Sequence, residues 1–112
     1  MNSWSGGYVT TIGYTHGYYR ELVPAMLSFA ALVSGHEAVR QRTPLRYCEL
    51  GCGQGFSANL IASANPSAEI YAADFNPTQI AGAQRLAADA GLSKVHFYDA
   101  AFAEFASEPS LP

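Results

Sequence analysis

Glu49-Leu50-Gly51-Cys52-Gly53-Gln54-Gly55-Phe56-Ser57 carries more architectural information than any other part of this 112-residue chain. It leaves a short strand candidate, Arg46 to Leu50 (RYCEL), and enters a helix expected over Gly55 to Ala64. Phe56, Leu60, Ile61 and Ala64 recur at helical spacing and are expected on one inward face. Three alternate glycines between a strand and a helix let the backbone turn sharply. They also let a ligand come close to the main chain. The helix start then offers N–H groups without intrahelical partners. A loop of this kind suits a nucleotide-like ligand.

Downstream the chain alternates. Asn65-Pro66 stops the first helix, and Glu69 to Asp74 (EIYAAD) is a second strand. Asn76 caps the next helix and Pro77 fills its first turn. That helix runs to about Ala90, with Ile80, Ala83, Leu86, Ala87 and Ala90 inward and Gly91 closing it. Val95 to Asp99 (VHFYD) is a third strand, and Ala100 to Ala106 a short helix. The crossovers, residues 51 to 68 and 75 to 94, are long enough to return the chain to a parallel strand. Right-handed crossovers place the strands in the order 3-2-1. The fold class is α/β, the first half of a doubly wound parallel sheet. Upstream, residues 1 to 43 form an arm and a helix. The arm is rich in Gly, Tyr, Thr and Ser. The helix carries Leu22, Met26, Phe29, Ala30 and Val33 at helical spacing, with Pro24 at its start and Gly35 as its stop. Residues 44 to 112 form the half-domain.

The details around the loop discriminate between ligands. A phosphate-binding P-loop needs a lysine that is absent here. A dinucleotide fingerprint needs its third glycine where Phe56 stands, and that bulk opposes pyrophosphate. Glu49 would also repel pyrophosphate, whereas it suits a ligand carrying an ammonium group. That combination points to S-adenosylmethionine. Asp74 ends the second strand roughly 20 residues after Gly51, the spacing of an acid that accepts from ribose hydroxyls. Asp99 ends the third strand, within reach of an adenine amino group. Each carboxylate also has a local alternative: Glu49 pairing with Arg46 or Arg20, Asp74 and Asp99 capping the helices that follow them.

The chain here resembles class I S-adenosylmethionine-dependent methyltransferases, over roughly Leu45 to Phe105. Residues 49 to 57 are similar to their motif I, Tyr71-Ala72-Ala73-Asp74-Phe75-Asn76-Pro77 to their acidic motif, and Phe97-Tyr98-Asp99-Ala100 to their adenine-contact region. The resemblance implies a Rossmann-like cofactor domain. It implies that Glu49, Gly51, Cys52, Gly53 and Gly55 hold the methionine end, Asp74 the ribose and Phe75 a face of the adenine. Asp99 and the Ala100 N–H would read the adenine edge. The arm Gly13-Tyr14-Thr15-His16-Gly17-Tyr18-Tyr19 is similar to the N-terminal region of methyltransferases that carry a C-terminal methyltransferase regulatory domain, some of which methylate protein lysines. His16 stands among Tyr14, Tyr18 and Tyr19, which read either as aromatics packing the arm onto the core or, with Tyr14 and His16 at the cofactor, as a lid over its methionine end or part of the acceptor site.

Composition narrows the rest. The net charge of −3 leaves no basic face for nucleic acid, and no apolar run approaches a membrane span. No secretory signal opens the chain, and a reducing cytoplasm is the expected setting. Cys48 and Cys52 are too few for a disulfide scaffold and lack the companions a zinc site needs; Cys48 reads as a small buried residue. The family fold has about seven strands and only three are legible, so the chain reads as an N-terminal part that stops before a fourth strand. Its catalytic residues and methyl acceptor, a protein lysine or a small molecule, would then lie elsewhere. An open edge on the first strand would favour a homodimer or a partner-docking module. A nicotinamide-dependent dehydrogenase half is the rival enzyme.

Overall fold

The computed structural model describes residues 7, 16–38 and 44–112. A 3-10 turn at Arg20–Leu22 leads into α1 (Pro24–Val33). Then come β1 (Arg46–Leu50), α2 (Phe56–Ala64), β2 (Glu69–Asp74), α3 (Pro77–Asp89), β3 (Val95–Asp99) and α4 (Phe102–Phe105). The strands form one parallel sheet in the order β1-β2-β3, with Leu50 opposite Ala73 and Asp74 opposite Asp99. All three therefore end at one edge, where the loops gather.

Local chemistry sets the boundaries. Asn76 caps α3 by accepting from the Thr78 N–H at 3.1 Å, and Pro77 follows at a position where a missing N–H costs nothing. Asn65 terminates α2. The core lies between the sheet and the pair α2 and α3: Ile61, Ile70, Ala72, Ile80, Ala83, Ala87 and Phe97 are buried there.

Facing differs from the expectation in four places. On α2, Ile61 is buried, but Leu60 and Ala64 are exposed and Phe56 is half-buried. Ser57, Ala58, Asn59 and Ala62 point inward instead. Small side chains line the α2–α3 contact because α2 begins hard against the middle of α3, at Ala83, a constraint that apolar periodicity does not encode. On α3, Leu86 and Ala90 are exposed. On α1, Met26, Phe29 and Val33 are exposed and only Pro24 is buried. That helix is apolar nearly all round, so no stripe selects one face. Cys48, expected to be buried, is also exposed. It points to the sheet face that α2 and α3 leave uncovered, in register with Tyr71 and His96.

Candidate cofactor site

The glycine loop is built from left-handed residues. Gly51, Gly53 and Gly55 have φ of +77°, +56° and +72°, a conformation that a Cβ strains. Gly55 has a second reason to be glycine. A Cβ there would lie 2.5 Å from the Ala83 Cβ and 2.8 Å from the Phe97 ring. Gly55 thus lets α2 begin hard against α3 and β3, and it sits behind the loop, not on the cavity wall.

The loop amides are largely committed. Gly51 and Cys52 N–H groups donate to the Ala73 carbonyl at 2.8 and 3.0 Å, and the Gly55 N–H donates to the Cys52 carbonyl at 3.0 Å. The Gly53 N–H donates to Asp74 Oδ2 at 3.0 Å. The donors expected to face a ligand were those of the helix start, not these loop amides. The loop spends these four on its own shape, and what it contributes is the expected close approach of a ligand to the main chain.

A cavity of about 750 Å³ opens in front of it, a size suited to a small-molecule ligand. Glu49, Gly51, Cys52, Gly53, Asp74 and Phe75 line it, so the structure brings together six of the residues singled out from sequence. Glu49 projects from β1 with Oε2 buried and without a hydrogen-bond partner among the described residues. Burial pushes its carboxyl up from the ordinary range. Arg20 pairs with Glu21 instead, at 3.5 Å. A buried, unpartnered carboxylate oxygen favours a cationic neighbour. Asp74 is buried, and its Oδ1 accepts from the Asn76 N–H at 2.9 Å. Each carboxylate oxygen has a second lone pair, so Asp74 braces the loop and keeps acceptor capacity for a ligand. The Cys52 thiol is pushed up to about 12 by burial, then by Glu49 and Asp74. It stays a neutral wall atom, and no group of metal-ligating side chains occurs among the described residues.

Other expected residues stand apart. Asp99 is exposed and off the cavity wall, and it caps no helix, since α4 starts at an uncapped Ala101. The Ala100 N–H already donates to the Asp74 carbonyl at 3.1 Å, so it is not free to read an adenine edge here. His16 is exposed, its ring edge-on to Phe56 at 5.9 Å, beside the cavity but not on its wall. Tyr14 lies outside the described residues.

Sequence reasoning missed Phe102, whose ring lies 3.6 Å from where a Gly51 Cβ would stand and forms part of the wall. Gly17 and Tyr19 of the N-terminal arm wall the cavity from the other side, on the segment offered as a lid, and Leu22, read only as a helix-face residue, joins them. Both walls come from segments whose relation to the loop is non-local. Gln79 was also missed: it is buried under Gly53 with neither amide atom paired among the described residues.

Comparison with known proteins agrees with this geometry. A family model described as a methyltransferase domain matches residues 42–110. The chain is 43% identical over 106 residues to the uncharacterized protein sll1526 of Synechocystis sp. (strain PCC 6803), covering 95% of this chain and 21% of that protein. The chain thus spans about a fifth of that relative's length. Among solved structures, PKMT2 from Rickettsia typhi in complex with AdoHcy superposes with a TM-score of 0.69 at 21% identity, covering 75% of this chain and 16% of that one. The YcgJ protein from Bacillus subtilis superposes at 0.51 with 21% identity, covering 80% and 32%. These two likenesses concern the fold. No described helix is long and apolar enough to cross a membrane. With the glycine loop, the strand-end carboxylates and the matched family model in agreement, the chain belongs to the methyltransferase domain family.

Proposed function

We propose that this chain carries the cofactor-binding part of an S-adenosylmethionine-dependent methyltransferase. The observation that carries this reading is Glu49: a buried, unpartnered carboxylate oxygen on the wall of the cavity that also holds Asp74 and the glycine loop. The bound cofactor would supply an electrophilic methyl group on a sulfonium. Glu49 would take the ammonium group of the methionine end and Asp74 the ribose hydroxyls. Phe75 and Phe102 would offer apolar faces to the purine. The PKMT2 complex with AdoHcy supports the same ligand class for this fold. Competition between NAD and S-adenosylhomocysteine separates this reading from a dehydrogenase.

Calorimetric titration of S-adenosylhomocysteine into the folded chain tests the proposal, with micromolar binding expected. Removing the Asp74 carboxylate costs ~1.5–3 kcal/mol, the range for hydrogen bonds to a charged group, or roughly tenfold to hundredfold in affinity. Asp74→Ala binding as tightly as the parent would remove Asp74 from the site. Absence of binding by a folded parent would sink the reading. Transfer of a radiolabelled methyl group, followed into protein or small-molecule fractions, would distinguish the two proposed acceptor classes, a protein lysine and a small molecule.

A second reading, association of two copies, rests on β1. Its outer edge has no partner among the described strands, and Leu50 is 57% exposed. Light scattering over a concentration series tests it: a mass that stays monomeric throughout counts against a dimer.

A further inference from the structure

The segment from His16 to Leu22 crosses the mouth of the glycine loop and is fastened on both sides of it. Upstream of the loop, the Tyr47 hydroxyl on β1 donates to the Leu22 carbonyl at 2.7 Å. Downstream, the Ser57 hydroxyl in the first turn of α2 donates to the Gly17 carbonyl at 2.7 Å. The two fastened residues, Gly17 and Leu22, are themselves cavity wall, as is Tyr19 between them. Burial raises the Tyr47 hydroxyl from its ordinary value, so it remains a donor at neutral pH. The Tyr19 ring folds back over Gly17, where a Cβ would stand 3.1 Å from it, so a side chain at Gly17 would push the ring aside. Neither hydroxyl was singled out from sequence, because each reaches a backbone carbonyl at least 25 residues away.

We propose that Ser57 and Tyr47 are positioning residues that clasp residues 17–22 as one wall of the cofactor cavity, so that release of a bound adenosyl ligand requires these two hydrogen bonds to open. The proposal rests on the cofactor reading above for its ligand, and on geometry alone for the clasp. β1 and α2 are the two elements that the glycine loop joins. A strap tied to both therefore spans the loop and moves with it. The donors are neutral, so the clasp holds the strap without fixing it permanently.

Two measurements on the whole chain test this, using Ser57→Ala, Tyr47→Phe and the conservative Ser57→Thr. Hydrogen exchange on the ligand-free protein reads the clasp. Amides of residues 17–23 should exchange about fivefold faster in the Ala and Phe variants, the effect of losing one neutral hydrogen bond. Exchange in 69–74 and 80–87 should stay at the parent rate, and Ser57→Thr should restore slow exchange. Dissociation of radiolabelled S-adenosylhomocysteine reads the wall. It should accelerate by a similar factor in the same two variants and return with Ser57→Thr. Unchanged exchange in both variants overturns the clasp. Faster exchange with unchanged dissociation overturns its role in ligand release. A parent chain that holds no S-adenosylhomocysteine fells the cofactor reading and, with it, the release role. The exchange result then upholds or overturns the clasp by itself.

Discussion

Glu49 is the residue whose environment asks most for a ligand. Its carboxyl is held up from the ordinary value near 4.5 by burial, with no cation paired to it among the described residues. A raised folded value favours the protonated form. The stability Glu49 contributes is therefore present at pH values below that of the unfolded chain, and it is lost as pH rises through the folded value. Glu49→Gln is neutral throughout. It should gain stability relative to the parent at pH 7 and lose that advantage near pH 4, as read by urea midpoints. Equal differences at both pH values would mean that Glu49 does not titrate as its burial implies. Binding has the opposite sense. An ammonium ligand prefers the ionised carboxylate, so S-adenosylhomocysteine affinity should rise with pH across the raised Glu49 value. Glu49→Gln should flatten that profile and weaken neutral-pH binding roughly tenfold or more, on the scale of a charge-assisted hydrogen bond.

At the scale of elements, Gly55 sets how α2 meets the sheet. Gly55→Ala would combine a left-handed residue bearing a Cβ, about 1–2 kcal/mol, with overpacking against Ala83 and Phe97, about 1–3 kcal/mol. Gly91→Ala is the matched control: its φ is +69° but nothing lies within 4 Å of the added carbon, so only the conformational cost applies. Chemical denaturation should rank Gly55→Ala well below Gly91→Ala. Equal losses would show that the neighbours of Gly55 yield freely. The same glycine explains what the sequence could and could not tell. The strands at Arg46, Glu69 and Val95 and the starts of α2 and α3 were legible, because glycine, Asn-Pro and alternation signals are local. The rotation of α2 was not, because it follows from a contact between Gly55 and residues in α3 and β3. Among the site residues, Glu49 and Asp74 were legible from their places at strand ends. The arm was legible as a candidate lid, but Phe102 and the two hydroxyls that fasten the strap were not, since their contacts are non-local. Asp99 shows the converse: a strand-end carboxylate in the right place by sequence that turns to solvent.

At the scale of the whole molecule, the sheet is covered on one face by α2 and α3. On the other face Cys48 and Leu50 are exposed, and Tyr71 stacks on His96 at a centroid distance of 5.2 Å. Parallel sheets are ordinarily buried on both faces, and among the described residues this face is the less covered one. The cavity draws on the ends of β1 and β2, on α4 and on the N-terminal strap, segments that are distant in sequence. A ligand that touches all of them should stabilise the folded chain beyond any single contact. At a concentration one hundred times its dissociation constant, a ligand selective for the folded state adds about 2.7 kcal/mol. In a domain of this size each kcal/mol moves the melting midpoint by about 4–8 °C. S-adenosylhomocysteine should therefore raise the midpoint by on the order of 10–20 °C, from the same two relations. At the same ligand concentration Asp74→Ala should show a much smaller rise, because its occupancy falls with its affinity. Glu49→Gln should also respond less, even though its ligand-free midpoint at pH 7 lies above that of the parent. That crossing separates a binding role for Glu49 from a merely structural one: a structural carboxylate would shift both midpoints together. If millimolar S-adenosylhomocysteine leaves the parent midpoint where it was, the cavity does not bind this class of ligand, and Glu49 keeps its unpaired oxygen for some other cation.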